Sequence, residues 1–83
     1  MRYILDGKQM VSKKETHLYL QETFGFPQYY GKNLDALYDC LTEMREMEVE
    51  LHHTEEMLTA LGGYGEKLLD VFREAENVML AIM

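Results

Sequence analysis

Apolar residues recur along the chain with two different periods, and the switches between them mark its elements. Tyr3-Ile4-Leu5 is a short apolar run closed by the turn pair Asp6-Gly7, and reads as a strand. Ser12-Lys13-Lys14-Glu15 has the form of a capping box, with Ser12 as N-cap and Glu15 reaching back. The helix it opens is predicted to run to about Phe24, with His17, Leu20 and Phe24 on one face and Gly25 as its stop. A lone histidine on such a face reads as a hydrogen-bonded core residue. Phe26-Pro27 then turns the chain, because a residue before proline avoids helical angles. Asn33, a preferred N-cap, opens a second helix whose Leu34, Leu37, Leu41 and Met44 form a buried stripe. Gly31 just ahead of it can take backbone angles that other residues resist.

Met47-Glu48-Val49-Glu50-Leu51 alternates apolar and acidic residues, the pattern of a strand with one covered face. Thr54 is placed to cap a short helix from Glu55 to Leu61, closed by Gly62-Gly63. A longer helix follows to about Glu76, burying Leu68, Leu69, Phe72 and Ala75, with Asn77 suited to its C-terminal end. Val78 to Met83 is uninterruptedly apolar, as in a strand covered on both faces. Strands separated by helical segments imply parallel pairing through right-handed crossovers. The predicted class is α/β: a three-stranded parallel sheet packed with about four helices. At 83 residues, one domain spanning 1–83 is expected, since a second core would have too few residues.

Charge sharpens this picture. Residues 1–32 carry five basic and three acidic side chains, a net +2, whereas residues 33–83 carry three basic and twelve acidic ones, a net −9. Phosphates would be repelled, so direct nucleic-acid binding is not expected, and a cationic protein partner is favoured. Charge interrupts the first residues too early for a signal peptide, and no apolar run approaches a membrane span. A single cysteine excludes an internal disulfide. These features lead to the expectation of a cytoplasmic protein, a monomer, with no membrane association.

The second helix carries the candidate chemistry. Asp35, Asp39 and Glu43 follow one another at four-residue steps, a like-charge arrangement costing roughly 0.2–0.5 kcal/mol per pair. Folding neither requires nor forbids this, and a solvated acidic face is the plain reading. Tyr29, Tyr30 and Tyr38 beside those carboxylates instead suggest a recognition patch, because tyrosine offers contact area at little entropic cost. Asp35 and Asp39 as metal ligands would need further oxygens converging from other elements, and as an acid–base pair a cleft that shifts one pKa. His52-His53 with Glu55-Glu56 is another candidate cluster, but adjacent strand residues point to opposite sides and cannot easily share one ion. Cys40 lies near the apolar side of its helix with no histidine to activate it. The seven methionines read as flexible core filling. Gly62, Gly63 and Gly65 lack the lysine and hydroxyl residues of a phosphate loop and read as punctuation. No catalytic residue, metal or cofactor is expected.

Pro27, Tyr29, Tyr30, Gly31, Asn33, Leu34, Asp35, Ala36, Leu37, Asp39, Cys40, Leu41 and Thr42 together resemble the barstar family, as does Val71-Phe72-Arg73-Glu74-Ala75. Weaker similarity runs through Asp6-Gly7, Gln9, Ser12, His17 and Leu20. Barstars are intracellular protein inhibitors of secreted guanyl-specific ribonucleases of the barnase type. The resemblance implies a sheet with the first strand in the middle. It also implies a partner-binding set of Tyr29, Tyr30, Gly31, Asn33, Leu34, Asp35, Tyr38, Asp39, Thr42 and Glu74. In that reading the carboxylates occupy phosphate positions in a basic ribonuclease, the tyrosines cover the mouth, and Asn33 and Thr42 add polar contacts. The family carries tryptophan where this chain has Tyr38 and Met44, proline at Glu48, and a longer segment after the fourth helix, with another acid and a second cysteine, where this chain is shortened at Asn77. The alternative function is a barstar-like module gripping another basic partner through the same patch.

Overall fold

A computed structural model describes residues 1–83. Three strands, β1 (Arg2–Asp6), β2 (Met47–His52) and β3 (Val78–Ile82), alternate with four helices: α1 (Lys13–Phe24), α2 (Leu34–Thr42), α3 (Thr54–Leu61) and α4 (Gly63–Glu74). All pairing is parallel, in the order β1-β2-β3. The middle strand is therefore β2, not β1 as the family resemblance implied. Consecutive strands are neighbours here, the commoner arrangement in sheets, and each is joined to the next through a helix pair.

The helices cover one face of the sheet. Leu5, Met47, Val49, Leu51 and Val78 point into a core shared with Leu20, Phe24, Leu37, Leu41, Met57, Leu68 and Phe72. On the other face Ile4, Glu48, Met79 and Ala81 remain in solvent, and Arg2 pairs with Glu50. The acid-for-apolar alternation of β2 is thus what lets it occupy the centre with one wet face. The apolar run of β3 lies at an edge instead of being covered on both sides: Met79 is 70% exposed and only Val78 is buried among its residues. An unbroken apolar run contains no alternation that could identify its open side. No helix is long and apolar enough to cross a membrane.

Local signals set most helix ends. Ser12 Oγ accepts the Glu15 N–H at 3.1 Å, and Gly25 closes α1 in the left-handed region at φ +70°. Three local expectations change. The residue with positive φ before α2 is Lys32, not Gly31. Thr54 is the first residue of α3 rather than its cap; His53 occupies that position at φ +56° with no side-chain cap, and Thr54 Oγ1 is buried without a partner. Finally, α4 stops at Glu74, and Asn77 serves a different helix.

Candidate protein-binding surface

α2 is held at both ends by asparagine. Asn33 Oδ1 accepts the Ala36 N–H at 2.7 Å, so its side chain is committed to starting the helix. At the other end Asn77 Nδ2 donates to the carbonyls of Leu41 at 2.7 Å and Met44 at 3.1 Å. Leu37 and Leu41 are fully buried, whereas Leu34 and Met44 are half-buried at the margins. This anchoring turns Asp35, Tyr38, Asp39 and Thr42 outward. The Thr42 hydroxyl donates back to the carbonyls of Tyr38 (2.9 Å) and Asp39 (3.2 Å), leaving its lone pairs for an outside donor.

α2 packs beside α4, and an open depression forms between them. Asp35 and Asp39 line it from α2 and Glu74 from the end of α4, with Leu34, Tyr38 and Val71 as its apolar part. A second depression lies on the other flank of α2, lined by Pro27, Tyr29, Gly31, Asp39, Cys40 and Glu43 among others. Asp39 borders both. None of Asp35, Asp39, Glu43 or Glu74 pairs with a basic group of its own chain; the intramolecular ion pairs involve Glu50, Glu56 and Asp70. Burial, with Glu43 and Asp39 adding to it, pushes the Cys40 thiol up and keeps it protonated.

The tyrosines divide sharply. Tyr29 is 88% exposed, whereas Tyr30 is 4% exposed and belongs to the core. Tyr30 lines the second depression but offers a partner little of its surface. Its ring packs on Phe26, which stacks on Phe24, and its hydroxyl lies 2.6 Å from His17 Nδ1. The other ring nitrogen of His17 lies 2.6 Å from the Tyr64 hydroxyl. This buried chain fixes the Pro27–Gly31 turn, and with it the outward direction of Tyr29. Val71, not singled out from the sequence as a site residue, lies one turn before Glu74 on the same α4 face; that spacing was the available signal.

The His52-His53 cluster does not converge. His52 Nε2 lies 3.3 Å from Glu50, and His53 Nδ1 lies 4.0 Å from Glu56. No group of three or more metal-ligating side chains comes together anywhere in the chain.

The surface is thus a set of unpaired carboxylates on two rigid helices, edged by exposed aromatic rings. A family model described as Barstar (barnase inhibitor) matches residues 1–81. The chain belongs to the barstar family. It is also 38% identical over 78 residues to a protein of Bacillus subtilis (strain 168) named "Putative ribonuclease inhibitor YrdF", covering 92% of this chain and 86% of that relative. Set against the family resemblance, this barstar-family chain brings Tyr29, Tyr30, Gly31, Leu34, Asp35, Tyr38, Asp39 and Glu74 to two adjoining depressions, with Thr42 exposed on α2 nearby. Asn33 supports the same helix from within its cap.

Proposed function

We propose that this chain inhibits a basic, guanyl-specific ribonuclease of the barnase type by filling its catalytic cleft. Arginine, lysine and histidine side chains that bind RNA phosphates in such a cleft would instead meet Asp39, Asp35 and Glu74. The supporting observation is that these three carboxylates surround one open depression and have no cation of their own chain. A carboxylate already held on a helix forms charge-assisted hydrogen bonds without backbone reordering, which limits the entropic cost of association. Tyr29 and Tyr38, both exposed, cover the mouth and exclude water from the ion pairs. The inhibitor acts as a protein ligand in the cytoplasm, with no cofactor and no nucleic acid of its own.

Titrating the purified chain into a guanyl-specific ribonuclease assay tests this. Loss of RNA cleavage that completes at one inhibitor per enzyme is the expected result. Undiminished cleavage at a large excess of inhibitor would overturn the proposal; tight capture of a different basic protein would then favour the binding-module alternative.

A further inference from the structure

We infer that Asn77 is a positioning residue for the binding surface: it fixes α2, and so the α2 carboxylates, relative to Glu74 of α4. The inference rests on the inhibitory reading of that surface and extends it to a residue outside the surface. Three observations carry it.

First, the Asn77 amide spans two elements distant in sequence. Nδ2 donates to Leu41 O at 2.7 Å in the last turn of α2 and to Met44 O at 3.1 Å just beyond it, with Arg45 O at 3.5 Å. Helix C-termini leave carbonyls short of intrahelical donors; Leu41 O also accepts the Met44 N–H at 3.1 Å, so Asn77 adds a second, long-range donor there, and α2 has no basic side chain in its last turn. Second, the Asn77 backbone is itself fixed: its carbonyl accepts the Met47 N–H at 2.9 Å, joining the segment before β3 to the start of β2. Its side chain is half-buried, so the contact is sheltered from competing water. Third, Asn77 follows Glu74 by three residues, across the turn closed by the Val78 N–H on Ala75 O at 3.0 Å. Glu74 and the donor that holds α2 are therefore on one short, hydrogen-bonded segment. α2 is a helix of nine residues, too short to be stable by itself, so its orientation depends on such external ties.

Amide hydrogen exchange on the free chain tests this directly with Asn77→Ala. Loss of one ordinary hydrogen bond corresponds to roughly 3- to 10-fold, so exchange in the last turns of α2 should accelerate by that factor while β1 and β2 change less. Uniform acceleration across the chain, or none in α2, would overturn the inference. Asn77→Ser, which keeps a shorter donor, is measured in the same way and decides the matter if the alanine variant does not fold.

The second readout is a double-mutant cycle on ribonuclease binding with Asp39→Ala. Asn77→Ala should raise Kd by roughly 3- to 10-fold in the native background and by clearly less once Asp39 is absent. Equal losses in both backgrounds would mean that Asn77 does not act through the carboxylates, and would overturn the positioning role. Failure of the native chain to bind the ribonuclease would overturn the inhibitory reading instead, while the exchange experiment still decides whether Asn77 holds α2.

Discussion

Asp39 borders both depressions on the flanks of α2, so a cation entering either one meets its carboxylate. Its neighbours at four-residue steps, Asp35 and Glu43, repel it, and no basic group of the chain offsets this. Asp39→Ala should therefore weaken ribonuclease binding by at least about 2 kcal/mol, roughly 30-fold, while leaving the melting temperature unchanged or slightly higher. Calorimetry on the free and bound variant separates the two effects; a sharply lower melting temperature would assign Asp39 to the fold. His17 serves the surface only through the fold, as a buried support behind the Tyr29 turn. It is 1% exposed, and its neutral ring can donate from one nitrogen and accept at the other, matching the two phenols of Tyr30 and Tyr64. Burial lowers its pKa from 6.5, so below that pH the unfolded chain takes up a proton that the folded chain resists. This contribution to stability is complete above about pH 6.5 and is lost as pH falls through the lowered folded value. The phenols act at the alkaline end: burial raises both, with Cys40 and Tyr64 adding to Tyr30. Their contribution is complete below about pH 10 and lost at higher pH. Urea midpoints measured across pH should fall on both sides of neutrality, and His17→Phe should flatten the acid side.

Among the elements, those built from local rules were legible in the sequence. Ser12, Gly25 and Asn33 set helix ends through contacts within a few residues, and the Met47–Leu51 alternation displayed its covered face directly. What escaped depends on contacts between distant segments. Strand order is one case, because it is set by pairings between segments far apart in the chain, β1 with β2 and β2 with β3. Asn77 is another: its three-residue distance from Glu74 suggested a role in α4, while its actual partners, Leu41 and Met44, lie more than thirty positions earlier. Tyr29 and Tyr30 are adjacent and chemically identical, and only the contacts with His17 and Phe26 decide which of them is buried. Gly7 shows the same limit. It looked like half of a turn pair, yet its backbone presses on another connection: a Cβ there would lie 2.1 Å from the His53 carbonyl oxygen. Gly7→Ala must move the β1 exit or the β2–α3 bend, both of which are backbone. A loss of about 1–3 kcal/mol is expected, read as a lower urea midpoint with unchanged m-value. An unchanged midpoint would show that the two connections are not in close contact.

For the whole molecule, charge asymmetry and fold act together. The net −9 of residues 33–83 includes α2 and α4, which lie side by side and carry the candidate surface. Together with the net −7 of the whole chain, the unpaired carboxylates on that side would turn an approaching cationic cleft toward it. Such steering acts before contact, over distances comparable with the Debye length of about 10 Å at 0.1 M salt, which shrinks to about 3 Å at 1 M. In the proposed complex Tyr29 and Tyr38 would shield the ion pairs from solvent, so salt should act on encounter more than on the closed state. Stopped-flow association with a basic ribonuclease is expected to slow by about ten-fold or more between 0.05 and 0.5 M salt, with the dissociation rate changing much less. If association were insensitive to salt while dissociation accelerated, the carboxylates would be acting only after docking, and the acidic half of the chain would have no part in finding the partner.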